Sequence, residues 1–483
     1  MRASRSGVPG SASFAFLAVL LLCTLVQYTS AAIGWTQKSL VKTVELGGSL
    51  VQLHWDITAT ATGDEPEFAT QDDVPLLVYL SQAEDKGLSY IRGSVSASAN
   101  KKESVRVNVE RAELLESDPQ TVVYAAMIPR KFVDQAKQLR LRVFGAVAHE
   151  PEPLPKSVGQ AERQFLVWTG DVGLRTPYET ASGEVIVKPP FPNVLSYEPK
   201  DKARQSGQSI TYGPYTNVPA HAGSAPIPQG RVHYEYSRPV ISFVDFNRHV
   251  EISHWGDNMA TSDTIWMRND GAKLKGHFNR ASHMINMWSN PTVEVASQIH
   301  SVPVMLPPAA TDVYYVDATG NVSTSVMAPI PPGLPVPRRL ELQPRFPIVG
   351  GWNYTFTVGW NQRMSEAGLA KRLPGTNRYR VAVPFLTAPS SVAIDHATVR
   401  IVLPEGASDI DVTLPFDVDM ERIVTYPSYL DTVGRPSVVL ERAKCTSKLN
   451  SLVYVDYTLS PLSHARKILA VATAVAVIFF VAA

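Results

Sequence analysis

The residues of this chain whose types and spacing could do chemistry are two acidic steps, a few histidines, Cys445 outside the apolar N-terminal run that holds Cys23, and two asparagine sequons. Asp409 and Asp411 flank Ile410 like the acidic pair with which many glycosyltransferases hold a metal and a nucleotide sugar. Ile410, Val412 and Leu414 alternate with them, so Asp409, Asp411 and Thr413 read as the solvent face of a strand. A hard-metal site needs further oxygen ligands, and nothing local supplies them; Asp417 and Asp419 fail for the same reason. His249 and His254 are five positions apart, which on an extended strand turns the two imidazoles to opposite faces. His277 and His283 lack the helical pair with an intervening glutamate that marks a zinc protease. No phosphate loop, Gly-rich dinucleotide turn or Gly-X-Ser-X-Gly elbow occurs. No catalytic, cofactor-binding or metal residue is therefore assigned, and no cofactor is expected. Cys445 reads as a buried small residue rather than a reactive thiol.

The sequons Asn321-Val322-Ser323 and Asn353-Tyr354-Thr355 carry a physical requirement: a glycan acceptor must be reachable by a bulky donor. Asn321 follows Thr319 and Gly320 after the strand-like Val313 to Val316, which suits a hairpin turn. Asn353 opens an alternating series in which Tyr354, Phe356, Val358 and Trp360 share one face while Asn353, Thr355 and Thr357 share the other. Both asparagines are expected to be glycosylated.

Strands must position these residues. Period-two alternation recurs at Val51 to Ile57, Val105 to Val109, Leu139 to Val143, Val399 to Leu403 and Val453 to Leu459. One wet face per strand predicts a mainly β fold: two antiparallel, sandwich-like lumenal domains followed by one C-terminal transmembrane helix. Helical patterning is confined to Arg130 to Arg140 and Ser365 to Leu373. The 37 prolines cluster where strands stop, and the stretch Pro219 to Gly230 suits a domain junction. The expected domains are residues 33–230 and 231–462. A loose repeat accompanies them: Val44 to Leu46 with Trp55, and Val250 to Ile252 with Trp255.

Both ends are apolar. Arg2 and Arg5 precede the run Phe14 to Val26 and the small residues Ser30, Ala31 and Ala32, the pattern of a cleaved signal peptide over residues 1–32. Ile468 to Ala483 reads as a membrane helix, with residues 463–483 as the span. Its rival is the tail of a lipid anchor on Ser460 or Ser463, for which the polar spacer is too short. With 45 basic and 44 acidic side chains, nothing points to nucleic acid.

Ordered blocks then become recognisable: Asp312 to Tyr315 with Gly320 to Ser325, Val250 to Gly256, Gly271 to Gly276, Arg345 to Trp352, Ile401 to Ala407 and Tyr429 to Pro436. Gln164 to Gly170 and Tyr212 to Ala220 extend the likeness more thinly. In these the chain resembles the ribophorin I family, noncatalytic subunits of the eukaryotic oligosaccharyltransferase. The resemblance implies a single-pass type I protein of the endoplasmic reticulum membrane, its bulk lumenal. The implied partners are a catalytic multi-spanning subunit, the other subunits and nascent glycoprotein substrates. That enzyme moves a preassembled oligosaccharide from dolichyl diphosphate to sequon asparagines, and the family's catalytic residues lie in a different subunit. Animal members continue into a cytosolic segment, whereas this sequence stops inside its apolar run. The alternative is a membrane- or lipid-anchored surface recognition protein with β-sandwich domains.

Overall fold

The computed structural model describes residues 34–61, 73–97, 104–115, 118–135, 138–221, 223, 226–289, 295, 297–329, 336–428, 431 and 433–482. The signal peptide expected over residues 1–32 lies outside them.

Alternation of apolar and polar residues produces strands along almost the whole chain. The first half forms β1 (Trp35–Glu45), β2 (Leu50–Ala61), β3 (Asp73–Ser81), β4 (Leu88–Ala97), β5 (Ser104–Val107), β6 (Val109–Leu115), β7 (Asp118–Pro129), β8 (Leu139–Ala148), β9 (Glu152–Pro153), β10 (Phe165–Asp171), β11 (Thr180–Lys188), β12 (Val194–Glu198), β13 (Ala203–Ser206), β14 (Ser209–Val218) and β15 (Gln229–Glu235). The second half forms β16 (Ile241–Ser253), β17 (Asn258–Asn269), β18 (Val302–Leu306), β19 (Thr311–Asp317), β20 (Gly320–Asn321), β21 (Ser325–Met327), β22 (Arg338–Leu342), β23 (Asn353–Arg363), β24 (Ala370–Arg372), β25 (Arg378–Pro384), β26 (Ala393–Val402), β27 (Ser408–Thr413), β28 (Met420–Tyr426), β29 (Arg435–Cys445) and β30 (Leu452–Thr458).

The two halves have one topology. The eight-stranded sheet β13-β14-β11-β1-β2-β8-β4-β5 recurs as β28-β29-β26-β16-β17-β23-β19-β20. The three-stranded β3-β7-β6 recurs as β18-β22-β21, and the four-stranded β12-β15-β10-β9 as β27-β30-β25-β24. Each strand of the first unit thus has its counterpart fifteen strands later. Strand directions match as well: β1 runs parallel to β11 and β16 parallel to β26, while the other pairings in these six sheets are antiparallel. The wholly antiparallel sheets expected from alternation are therefore corrected at the centre of each large sheet. The central strands β1 and β11, and β16 and β26, are each flanked by further strands, and period two does not report direction.

The three sheets of a unit share one apolar core. Val44, Leu53, Leu76, Val122, Trp168 and Tyr234 lie in the first, and Val250, Phe356, Leu340, Val383, Ile401 and Val455 in the second. The apparently continuous alternation Val105 to Val109 breaks at Asn108, where the chain leaves the large sheet at β5 and enters the small one at β6. β15 belongs to the first unit, pairing Gly230 with Gly170 in β10. The units meet through a small apolar cluster of Leu50, Ala148 and Ala393 and through polar contacts. Ser157–Val158 pairs in parallel with Lys273–Leu274. The buried Gln164 accepts from the Ala272 N–H at 3.0 Å, and Ser49 Oγ donates to the Ser391 carbonyl and accepts from the Ala393 N–H, both at 3.1 Å.

Among the described residues helices are few and, α5 apart, short: α1 (Gln82–Gly87), α2 (Arg130–Gln135), α3 (Arg280–Ser289), α4 (Met364–Ala367) and α5 (Pro461–Ala482). Helix α1 opens on a capping box, in which Ser81 Oγ accepts from the Glu84 N–H and the Glu84 carboxylate accepts from the Ser81 N–H. The predicted helices over Arg130 to Arg140 and Ser365 to Leu373 survive as the single turns α2 and α4. Helix α4 ends on Gly368 in the left-handed region, φ 66°. Among the described residues no helix is long and apolar enough to cross a membrane. The uncharged run of α5 starts at Ile468, and its 15 residues to Ala482 rise only about 23 Å at about 1.5 Å each.

Candidate glycan-acceptor sites and the buried ion pairs

Asn321 lies in a tight hairpin. Asp317 pairs with Gly320 across Ala318 and Thr319, and the Asp317 carboxylate accepts from the Thr319 and Gly320 N–H groups at 2.9 and 3.1 Å. Gly320, at φ 125°, takes a conformation that a side chain would strain. Arg345 braces the turn from outside, Nε donating to Asp317 Oδ2 at 2.6 Å and Nη2 to the Asn321 carbonyl at 2.8 Å. Those hydrogen bonds, the guanidinium's foremost, hold Asp317 down at about 2. Asn321 and Ser323 are exposed, while Val322 between them is buried and anchors the sequon. Asn353 is also exposed, at the start of β23 opposite Arg268. Tyr354, Phe356, Val358 and Trp360 point into the core, and Asn353 and Thr355 point out.

The other candidate residues stay apart. Asp409 and Asp411 are exposed on β27, with Ile410 and Val412 packed on the core. Asp417 and Asp419 are exposed, and Asp419 accepts from the Ala443 N–H at 2.7 Å. His249 lies 3.2 Å from Glu251 Oε1, whereas His254 faces Tyr457 Oη at 2.6 Å and packs edge-on against Tyr379. His283 stacks on His300 at 5.6 Å, and His277 is exposed. Among the described residues no three His, Cys, Asp or Glu side chains could hold a metal ion. Cys445 is fully buried, and burial pushes its thiol up to about 12, which keeps it protonated and unreactive.

Sequence reasoning missed a pair of buried cations. Lys42 on β1 and Arg248 on β16 sit two residues before Val44 and Val250, the repeat step, with the same offset between the units. Lys42 Nζ lies 2.5 Å from Glu84 Oε1. Burial opposes the charge on both partners, and their mutual attraction outweighs it, raising Lys42 and lowering Glu84. Trp168 Nε1 donates to nearby Glu150 at 2.9 Å; burial, reinforced by the Glu84 charge, still pushes that carboxyl up to about 7. In the second unit Arg248 grips Asp263 through Nε and Nη2 at 2.7 and 2.6 Å. It also donates to the Pro384 carbonyl and Thr387 Oγ1, both at 2.7 Å. The available signal was parity: each cation lies in register with buried apolar residues, Leu40 and Val44 or Phe246 and Val250. The tryptophans of the loose repeat are not equivalent. Trp55 is 3% exposed within β2, and Trp255 is 66% exposed in the turn after β16.

These features define a duplicated three-sheet β protein with a buried ion pair in each unit and with sequons that face solvent. The ribophorin I family model matches residues 35–483, and the chain belongs to that family. Curated relatives include subunit 1B of the rice dolichyl-diphosphooligosaccharide–protein glycosyltransferase, 28% identical over 91% of this chain and 88% of its own length. The Arabidopsis thaliana subunit 1B is 32% identical over 67% of this chain and 66% of its length. The Caenorhabditis elegans subunit 1 is 26% identical over 91% and 70%. An M1 zinc metallopeptidase from Deinococcus radiodurans shares 10% identity at TM-score 0.26 over 46% of this chain and 42% of its own, too low to carry an argument.

Proposed function

We propose that this protein is a noncatalytic subunit of an oligosaccharyltransferase in the endoplasmic reticulum, supporting transfer of an oligosaccharide from dolichyl diphosphate to sequon asparagines. The observation that carries this reading is that relatives matched over 67 to 91% of the chain are each named subunit 1 of that enzyme. The two units, divided between Glu235 and Ile241 rather than at residue 230, would stand in the lumen beside the catalytic multi-spanning subunit and nascent glycoproteins. Residues 1–32 would direct export, and Asn321 and Asn353 would carry glycans.

The second half of α5 is apolar on every side and exposed from Ile468 to Ala482, as a helix surrounded by lipid or other helices must be. Its one hydroxyl, Thr473 Oγ1, donates to the Leu469 carbonyl at 2.7 Å and so needs no water. We read it as a short type I anchor that packs against neighbouring membrane helices.

Depletion of the protein, followed by sequon occupancy on secreted reporters and recovery of the complex from detergent, tests the reading. Reduced occupancy together with co-recovery of the multi-spanning subunit is expected. Full occupancy, or recovery of this protein without that subunit, refutes it.

A further inference from the structure

A cleft of about 630 Å³ opens on the outer face of the first unit's large sheet, roofed by one residue of the second. Its floor is aromatic. Phe144 on β8 meets His54 on β2 edge-on at 5.1 Å and Tyr90 on β4 at 6.1 Å, and all three rings are half-buried, Tyr90 also packing against the core of the second unit. Its walls are cationic: Arg92, Arg106, Arg142 and Lys448, the last holding its ammonium 4.9 Å from the Phe144 ring centre.

Counter-charges are scarce there. Asp56, the lining carboxylate, is already held by Arg140 through Nε at 2.7 Å, and Arg142 reaches it only at 3.9 Å. Among the described residues no carboxylate lies within ion-pair distance of Arg92, Arg106 or Lys448. A cleft with one sign of charge and low-dielectric walls raises the local concentration of ligands of opposite sign. Guanidinium groups bind phosphate oxygens through paired N–H donors.

We propose that this cleft binds a phosphorylated sugar. The phosphate would sit among Arg92, Arg106 and Lys448. The apolar C–H face of the sugar would lie on Phe144 and Tyr90, with the Thr43 and Ser94 hydroxyls in reach of its own. A nucleotide fits poorly: the Tyr90 and Phe144 planes are inclined at 58°, so no parallel slot exists for a planar base. The site goes beyond the proposed place in a glycosylation complex and does not depend on it.

Titration calorimetry of the full chain in detergent with glucose 1-phosphate, glucose, inorganic phosphate and AMP tests the site. Glucose 1-phosphate should bind more tightly than either phosphate or glucose. Arg106→Ala and Lys448→Ala, both exposed positions that leave the cores untouched, should each weaken it about tenfold, the scale of one charge-assisted contact. Phe144→Leu should weaken glucose 1-phosphate while leaving inorganic phosphate unchanged. No binding of glucose 1-phosphate at about 10 mM overturns the site. Inorganic phosphate binding as tightly overturns the sugar, and AMP binding as tightly overturns the ligand class. Unchanged affinity in all three variants, each retaining the wild-type unfolding midpoint, shows that the ligand sits elsewhere and overturns the assignment.

Discussion

Lys42 and Arg248 occupy the same place in the two units, yet they are neutralised by different chemistry. Lys42 is a point charge served by a carboxylate from outside the large sheet, the Glu84 of α1, with Glu150 and Asp171 close enough to act on it through space. Arg248 is a planar fork served within the large sheet by Asp263 on the neighbouring β17, with a carbonyl and a hydroxyl taking two further donors. The strand that ends beside the cation is equivalent in both units. In β10 it supplies the Asp171 side chain, and in β25 the Pro384 backbone carbonyl. One topology therefore tolerates a buried cation in two ways. The second unit satisfies its cation locally, whereas the first gathers several carboxylates around one lysine and leaves one of them, Glu150, with its charge disfavoured by burial.

The largest effect separating these solutions should come from Arg248→Met. Removing the guanidinium leaves Asp263, about 1% exposed, without its cation, a loss of about 5 kcal/mol in unfolding free energy for a broken buried pair. The double variant with Asp263→Leu should recover most of it, because replacing both partners with apolar groups is close to neutral. Urea unfolding measures both, and a single-variant loss below about 1 kcal/mol would mean that the pair behaves as a surface contact.

Lys42→Met should cost less, about 3 kcal/mol. Glu84 keeps its hydrogen bond from the Ser81 N–H and can take up a proton once the lysine is gone. The signature is a pH dependence steeper than that of wild type, with the variant recovering stability as pH falls and Glu84 protonates. If Lys42→Met cost more than Arg248→Met at pH 7, the order argued from local satisfaction would be reversed.

Glu150 sets the next effect. Its folded value of about 7 lies above an unfolded glutamate near about 4.3, so the folded protein binds more protons across that window. Its contribution to stability is present below the unfolded value and is lost as pH rises toward 7. Glu150→Gln should remove this slope and make the protein more stable than wild type at pH 8, read as a higher unfolding midpoint. Glu251 and Asp317 in the second unit, each held at about 2, behave oppositely: their stabilisation is present above the unfolded value and lost as pH falls toward 2. Asp118 in the first unit, also about 2, follows them.

How much of this was legible from the sequence follows from what alternation encodes. Leu139 to Val143 and Val453 to Leu459 read as strands because one parity meets a core, and the exposed Asp409 and Asp411 read as a wet face for the same reason. Alternation says nothing about which strand lies alongside, so the parallel pairs and the three-sheet duplication were hidden. Only the Val-Glu-apolar step at Val44 and Val250 betrayed the repeat. Helix α1 escaped notice because six residues give too little periodicity, although Ser81 and Glu84 spell its capping box. The cleft was illegible because its parts lie on five strands of one unit and, with Lys448, in the other.

The smallest expected effect concerns the hairpin that carries Asn321, where the comparison is between a loop braced by one guanidinium and the cores beneath it. Arg345 reaches Asp317 and the Gly320 and Asn321 carbonyls from an exposed position, so Arg345→Ala should leave the global unfolding midpoint almost unchanged. Local opening is another matter, since amides in a small surface unit exchange without unfolding the core. Hydrogen exchange at Thr319 and Gly320, whose N–H groups bond to Asp317, should accelerate in the variant, while Phe356 and Val358 in β23 keep wild-type protection. Equal acceleration at both places would show that the hairpin opens only with the sheet. Arg345 would then be part of the core's stability rather than a local brace on the sequon.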